Sequence, residues 1–380
     1  MRHVPSDRLK AYNKEWGFII AALSDRSYQI DSNLDWIRIE TLAAEEGVTG
    51  ILYKKLKDAG MPQSALASFK DYYLSIAARN IINSNVLERL ENALGSIQIE
   101  VMTLKGASLL NSIYPDIGMR SMNDLDLMIR PEKQKRFTGL LHNLGYKEDT
   151  LSPHIFKKDR VTIDVHSHPI NIDRVPVRAR LFPVGIEPIW ANSVPWRKDC
   201  QWLRRPDNTD NVILLSQHLM KHSFSKLIWL VDILRLIRNN DVMFLPDLLK
   251  RSDYLQQRKC VSYTFYLLNR IFYRAMERRL IPEALSQGLS RLERGILEAK
   301  ANGESLEFTG PIMSMFCVQG FRNRVALGWE SLFPKDKLVR LEIIGALEGK
   351  NAFYYPLRFL KIVASLLKRF CLILGYIIRG

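Results

Sequence analysis

The chain has 380 residues, of which 47% are hydrophobic and 25% charged, and its formal net charge is +15. This length predicts two or three folded units of ordinary globular composition, and the positive charge favours anionic partners such as nucleotides, nucleic acid or an anionic membrane surface. The four cysteines (Cys200, Cys260, Cys317 and Cys371) are far apart and form no C-x-x-C pair. That spacing argues against a zinc module or a disulfide scaffold and fits a reducing compartment.

No targeting or membrane-spanning segment is predicted. The first residues, MRHVPSDRLKAYNKEW, contain no continuous apolar run of the kind that a signal peptide requires. No apolar stretch approaches the roughly 20 residues needed to cross a bilayer. We therefore predict a cytoplasmic protein.

Residues 1–95 are predicted to form an N-terminal helical region. Apolar residues recur at three- and four-residue spacing in Leu34–Ala44, Val48–Leu56 and Leu74–Leu94, and Gly95 follows the last of these. No metal-binding or nucleophilic constellation occurs here, so we interpret the region as packing structure.

The periodicity changes to that of an α/β unit over residues 96–170. Ile99, Val101 and Leu104 predict a strand that ends at Gly106. The elements predicted after it are a helix at Ala107–Tyr114, a strand at Asp124–Ile129, a helix at Glu132–Leu144, and strands at Tyr146–Asp149, His154–Lys157 and Val161–His166, the last two joined by a hairpin turn at 158–160.

The remaining chain is predicted to be an irregular connection over 171–205 and a helical region over 206–380. Trp190, Trp196 and Trp202 are expected to anchor the connection to the core. The tail 354–380 is apolar and basic, with no acidic residue. Such a helix can lie on an anionic membrane surface, giving peripheral membrane contact, or pack on the body or on a second subunit.

The strongest chemical signal is the pair Asp124 and Asp126. Residues at i and i+2 of a strand point to the same face, so the two carboxylates lie together while Leu125 and Leu127 point to the other face. Neighbouring carboxylates repel each other unless a cation lies between them, and Mg²⁺ prefers oxygen ligands. The alternative, purely structural interpretation of a D-x-D pattern is a solvated edge strand or a turn capped by an aspartate side chain.

A third carboxylate strengthens the signal. In Val161–His166 the side chains of Asp164 and His166 share one face. If this strand lies beside the Asp124 strand, three carboxylates converge and can hold two divalent ions about 3.5–4 Å apart, which clamp the oxygens of a phosphoryl or nucleotidyl displacement. His166 is expected either to orient a ligand, to touch the base, or to be a hydrogen-bonded structural residue.

Several residues before the acid pair suit phosphate binding. Gly106 allows a close backbone approach, and the helix after it offers free N–H groups. Ser108 is predicted to donate a hydroxyl, and Lys105 and Arg120 supply positive charge for phosphate oxygens.

These residues resemble the nucleotidyltransferase superfamily of the polymerase β type. LKGASLL, GMRSMNDLDLMI, NLGY, IDVHSHP and HLMKHSFSKLIWLVDI are similar to a bacterial group labelled uncharacterised nucleotidyltransferases, over roughly Val48 to Ile237. One departure is Ala107, because the superfamily usually has Gly-Ser or Gly-Gly at the loop where this chain has Gly106-Ala107.

The resemblance implies an α+β fold, in which a small mixed-sheet core is embedded between the N-terminal and C-terminal helical regions. It implies Mg²⁺- or Mn²⁺-dependent transfer of a nucleoside monophosphate from an NTP to a hydroxyl or phosphate acceptor. Asp124 and Asp126 would bind two ions, Asp164 would complete the metal site and help to deprotonate the acceptor, and Gly106 and Ser108 would hold the triphosphate. The acceptor is not identified, and nucleic acid is not excluded.

His218 and His222 stand at i and i+4 of a predicted helix. Two imidazoles at this spacing can share zinc, but no H-E-x-x-H arrangement and no nearby third ligand accompany them. Two other interpretations are open. In the first, this helix face lines the nucleotide cleft together with Lys226 and Asp232; in the second, the two histidines belong to ordinary helix packing.

Two other functions compete with the transferase. A glycosyltransferase also uses a D-x-D motif, and in that fold several βαβ units precede the motif. In this chain about a hundred mostly helical residues precede it instead. A catalytically inactive transferase fold could instead serve as a binding module for nucleotide, a partner or a membrane. Three clustered carboxylates argue against inactivity, since they are costly to hold together without a cation.

Overall fold

The structure, a computed structural model, describes residues 8–24, 33–110, 112–172, 176–240, 244–272, 288–304 and 309–332. The tail 354–380, for which membrane contact is predicted, lies outside the described residues, as does Cys371. The other three cysteines are free thiols.

Helices precede and follow a small group of strands. The α-helices of the described residues are α1 Arg8–Leu23, α2 Trp36–Glu45, α3 Thr49–Asp58, α4 Ala67–Ile97, α5 Lys105–Leu109, α6 Gln134–Asn143, α7 Glu187–Ala191, α8 Asn208–Lys221, α9 Leu227–Arg238, α10 Phe244–Tyr254, α11 Arg258–Phe272, α12 Arg291–Ala301, α13 Thr309–Cys317 and α14 Phe321–Leu332. Short 3₁₀ helices lie at Gln63–Leu66, Pro131–Lys133 and Pro176–Leu181.

The strands form one seven-stranded mixed sheet among the described residues, in the order β3-β4-β5-β2-β1-β7-β6. Their bounds are β1 Val101–Thr103, β2 Leu125–Met128, β3 Lys147–Glu148, β4 Ile155–Lys158, β5 Val161–His166, β6 Val194–Pro195 and β7 Leu203–Arg205. β2 lies antiparallel to β1 and parallel to β5, and β1 lies parallel to β7. The α+β prediction, with helical regions on both sides of the sheet in the chain, is therefore confirmed.

Local sequence explains where several elements end. Gly145 closes α6 with φ of +85°, and Asp159 adopts φ of +52° in the β4–β5 hairpin turn; glycine and aspartate are the residue types that tolerate the left-handed region. Asp207 caps α8 by accepting a hydrogen bond from the backbone N–H of Asp210 at 2.7 Å.

The sheet separates two apolar clusters. Leu125, Leu127, Ile163 and Val165 pack against α4 and α6 on one face. The opposite face, represented by Met102 and Met128, packs against a larger cluster that joins the N-terminal helices to α8, α9 and α11. Because strand side chains alternate, Asp126, Asp164 and His166 lie on the second face, toward α8 and α9.

Three sequence predictions differ from the structure. The segment 171–205 is not wholly irregular, because it contains α7 and the strands β6 and β7, which are only two and three residues long and too short to show alternation. The helix predicted at Ala107–Tyr114 is observed at Lys105–Leu109. Helix α4 continues past Gly95 to Ile97, and Trp202 packs against Gly95, with its Nε1 3.2 Å from where a Cβ would stand.

Among the described residues, no helix combines the length and the apolar character needed to cross a bilayer. The predicted boundaries at residues 95, 170 and 205 remain predictions. The large apolar cluster includes residues from both sides of each boundary.

Candidate active site

Register between two parallel strands brings the predicted acids together. β2 and β5 pair so that Asp126 lies opposite Asp164 and Met128 opposite His166. One ligand atom from each of Asp126, Asp164 and His166 lies within 4.8 Å of the others. Asp126 is only 4% exposed. Two carboxylates and an imidazole at this spacing are a donor set that fits a divalent ion such as Mg²⁺ or Mn²⁺.

Asp124 stands immediately before β2 and lines the same cavity as the other acids. Burial, followed by the negative charge of Asp126, raises the pKa of Asp124 to about 6. A carboxyl with a raised pKa holds its negative charge at a cost, and a bound cation would relieve that cost. All three predicted carboxylates therefore belong to one electrostatic group.

Two side chains, Lys105 and His166, meet at one oxygen of Asp126. Its Oδ1 lies 2.5 Å from Nζ of Lys105 and 2.8 Å from Nε2 of His166. Burial opposes the charge on Asp126, but these two partners outweigh it and hold the pKa of Asp126 below its ordinary value. Nε2 of His166 also lies 3.2 Å from Oδ2 of Asp164, so His166 with hydrogen on Nε2 links the two acids.

His166 is fixed inside the protein. It is 2% exposed, and among the described residues its Nδ1 has no hydrogen-bond partner. Burial alone would lower the pKa of His166, but the hydrogen bonds and charges of Asp126 and Asp164 raise it. His166 therefore orients the acids and offsets part of their charge.

A cavity of about 570 Å³ opens over the acids. One wall is the sheet, and the facing wall comes from α8, α9 and the link between them. Residues with chemical groups in the facing wall are His218, Lys221, His222, Lys226 and Trp229, and Arg178 joins them from the 3₁₀ helix at Pro176–Leu181. The cavity thus has an acidic wall opposite a basic and aromatic one.

The structure places His218, His222 and Lys226 in this facing wall. The ring centroids of His218 and His222 are 4.5 Å apart, and that of Trp229 lies 4.5 Å from His218 and 5.4 Å from His222. Burial, then the positive charge of Lys105, holds the pKa of His218 well below its ordinary value. Across the described part of the chain, no third metal ligand joins the two histidines, so the zinc interpretation gains no support.

Two residues predicted to bind phosphate are engaged elsewhere. Ser108 is 1% exposed, and its hydroxyl lies 2.8 Å from the carbonyl oxygen of Lys105 and 3.0 Å from Oδ1 of Asn211, away from the cavity. The five-residue helix α5 turns this side chain toward α8. The prediction for Ser108 therefore has no structural support.

Arg120 borders the cavity, but its guanidinium serves the fold. Nη2 donates to Oδ2 of Asp232 at 2.8 Å, and Nη1 donates to the carbonyl oxygen of Ser121 at 2.7 Å. Nη1 also lies 2.6 Å from where a Cβ at position 106 would stand. A side chain at position 106 would therefore displace the Arg120 guanidinium from its bonds, a reason for glycine here that the sequence alone did not reveal.

Nine residues that line the cavity were not predicted as site residues from the sequence: Ser121, Met122, Asn123, Asn171, Arg178, Lys221, Ser225, Ile228 and Trp229. Lys221 follows His218 by three positions and so shares its helix face, and that spacing was a usable signal. Trp229 lies in the first turn of α9, one turn after Lys226. Asn171 and Arg178 come from the connection and carried no periodic signal.

The comparisons with known proteins agree with this geometry. A family model described as uncharacterised nucleotidyltransferase matches residues 32–273. The match covers more than half of the chain and includes every residue that lines the cavity. No curated protein and no solved structure matches the chain.

Proposed function

The chain belongs to the uncharacterised nucleotidyltransferase family, and from this premise we propose that it transfers a nucleoside monophosphate from an NTP to a hydroxyl or phosphate acceptor with the help of divalent ions. The proposed acceptor is a small molecule, a peptide or a protein. The observation that carries the proposal is the register of Asp126 with Asp164 beside Asp124 at the floor of one cavity.

Three acids hold the ions in this proposal. Asp124, Asp126 and Asp164 supply carboxylate oxygens for Mg²⁺ or Mn²⁺, with two ions expected from the number of acids. Ions bound there would neutralise charge on the phosphates and make the acceptor oxygen easier to deprotonate. Asp164 is the acid proposed to help with that deprotonation, because it is less buried than Asp126: its side chain is 15% exposed, against 5%.

The triphosphate is proposed to lie between the two walls. Lys105 and the backbone at Gly106 border it from the sheet side, and Lys221, Lys226 and Arg178 border it from the helices. Ammonium and guanidinium groups suit phosphate oxygens. Arg120 acts indirectly, by fixing the segment before β2, and His166 orients Asp126 and Asp164.

The aromatic group formed by His218, His222 and Trp229 is proposed to contact the nucleobase or an apolar part of the acceptor. Aromatic rings offer stacking surfaces that accept flat ligands with little regard to their polar edges. In this proposal the cavity supplies acids for the ions, cations for the phosphates and aromatic rings for the organic part of the ligand.

Replacement of the acids tests the proposal. Asp126→Asn and Asp164→Asn should each lower NTP turnover, measured as pyrophosphate release with Mg²⁺ or Mn²⁺, by about a hundredfold or more, because a metal ligand supplies several kcal/mol of transition-state stabilisation. The matched control is Asp253→Asn, an exposed acid paired with Arg258, for which we expect unchanged turnover.

NTP turnover at the wild-type rate in both acid variants would contradict the proposal. Absence of divalent-ion binding to the wild-type protein in calorimetry, with and without nucleotide, would instead favour the inactive binding module. A screen of the four NTPs for nucleotide transfer to material in fractions of a cell lysate identifies the nucleotide and the acceptor.

A further inference from the structure

One ammonium group lies inside the acid cluster. Nζ of Lys105 is 2.5 Å from Oδ1 of Asp126, and the two side chains are 22% and 5% exposed. The charges of Asp124 and Asp164 also act on this ammonium. Among the described residues, the Lys105 ammonium thus forms a direct ion pair with an acid of the proposed ion site.

The backbone at Lys105 is held in an unusual conformation. Its φ is +50°, in the left-handed region that residues with a side chain rarely adopt. Such a conformation costs free energy and persists where surrounding contacts fix it. The side chain of Lys105 leaves this backbone to reach Asp126, and its Nζ pairs there with Oδ1.

A lysine and a divalent ion compete for the same negative charge. Oδ1 of Asp126 already accepts from both Lys105 and His166, and an ion bound to these carboxylates would bring two further positive charges beside the ammonium. Like charges at such short range repel strongly in a partly buried site. The cavity beside Lys105 gives the ammonium space to move away.

We propose that Lys105 is the counter-ion of the acid cluster when no divalent ion is bound, and that ion binding displaces its ammonium toward the phosphates of the nucleotide. The inference rests on the proposed function and adds a regulation of that site. Lys105 weakens ion binding to the free protein, and the nucleotide offsets this effect because its phosphates receive the displaced ammonium. Ion and nucleotide therefore bind with positive coupling.

Binding of Mn²⁺ to the full-length protein tests this competition, measured by electron paramagnetic resonance or calorimetry without nucleotide. Lys105→Met should bind Mn²⁺ at least about fivefold more tightly than the wild type, the lower end of ordinary coupling between two sites. Addition of α,β-methylene-ATP should raise the Mn²⁺ affinity of the wild type more than that of Lys105→Met.

Two further variants keep the test decisive. Lys226→Met removes a positive charge from the facing wall without touching a carboxylate, and its Mn²⁺ affinity without nucleotide should change less than about twofold, as expected for a screened, more distant charge. Lys105→Gln keeps a hydrogen-bond donor and removes the charge, and it replaces Lys105→Met if circular dichroism shows that the methionine variant is unfolded.

The outcomes separate this inference from the proposed function. Equal or weaker Mn²⁺ binding by the folded Lys105 variants, or equal tightening by Lys226→Met, would overturn the competition while leaving the transferase proposal intact. Failure of the wild type and all variants to bind Mn²⁺ would overturn both. Tighter binding by the Lys105 variants in a protein that turns over no NTP would support the competition and contradict the transferase proposal.

Discussion

At the scale of single residues, the site depends on a buried ion pair beneath it. Arg120 and Asp232 have side chains only 7% and 0% exposed, and the hydroxyl of Tyr114 donates to the same aspartate at 2.5 Å. Arg120 stands four positions before Asp124. The carbonyl oxygen of Arg120 accepts a hydrogen bond from Nδ2 of Asn80 on α4 at 2.8 Å. The segment that leads to the acids is thus held from α4 and from α9.

Breaking this pair should destabilise the protein strongly. Arg120→Met or Asp232→Leu leaves one buried charge without its partner, for which we expect a loss of about 3–5 kcal/mol in the free energy of unfolding. The double variant should lose less than the sum of the two, since neither charge then remains. Urea unfolding measures all three.

The matched control for the buried pair is Arg258→Met, which breaks the exposed pair with Asp253 and should cost less than about 1 kcal/mol. Strict additivity of the two buried substitutions would contradict the assigned pairing.

At the scale of elements, β7 is held in the sheet by a side chain of α4. Glu91 accepts hydrogen bonds from the backbone N–H groups of Gln201, Trp202 and Leu203, the shortest at 2.6 Å. A strand of three residues forms few ladder bonds of its own. The carboxylate therefore supplies much of the anchoring for the start of β7, next to β1.

Removal of that carboxylate should loosen β7. Glu91→Ala leaves three backbone donors without their acceptor, so we expect a loss of about 1–3 kcal/mol in unfolding free energy. Amide hydrogen exchange at residues 201–203 should become faster. Glu88→Ala, which removes only an exposed partner of Arg197, is the control and should leave that exchange unchanged; equally protected amides in Glu91→Ala would refute the anchoring.

The same elements show what sequence could and could not predict. Alternation in Asp124–Ile129 and Val161–His166 was long enough to place both strands and the shared face of Asp126, Asp164 and His166. β6 and β7 were too short to carry a period, so their part in the sheet was missed. The internal bonds of Ser108 and the partner of Arg120, 112 positions away, are properties of tertiary packing that no local pattern contains.

At the scale of the whole molecule, the N-terminal helices pack directly on the loop that leads to the acids. A Cβ at Gly50 of α3 would stand 2.1 Å from the carbonyl oxygen of Gly118 and 3.0 Å from that of Met119. Glu46 also contacts α9, since its carbonyl oxygen accepts from the N–H of Ile228 at 3.1 Å. The N-terminal helices thus contact both the loop before the acids and α9.

This close packing makes Gly50 a sensitive position. Gly50→Ala places a methyl group against backbone that cannot rotate away, and we expect a loss of about 3 kcal/mol or more in unfolding free energy. In the control Gly139→Ala, nothing lies within 4 Å of the added Cβ, and the better helix former should stabilise α6 by up to about 1 kcal/mol. Thermal and urea unfolding compare the two, and a neutral Gly50→Ala would show that α3 does not press on this loop.

The two-walled cavity has a consequence for engineering. The register of β2 and β5 fixes Asp126 and Asp164, whereas the aromatic rings and two of the five lysine and arginine side chains that line the cavity come from α8, α9 and the link between them. Under the proposed function, we expect a combinatorial library restricted to His218, His222 and Trp229 to vary ligand preference while leaving Asp126 and Asp164 in their register. Retargeting this scaffold is a matter of redesigning one wall.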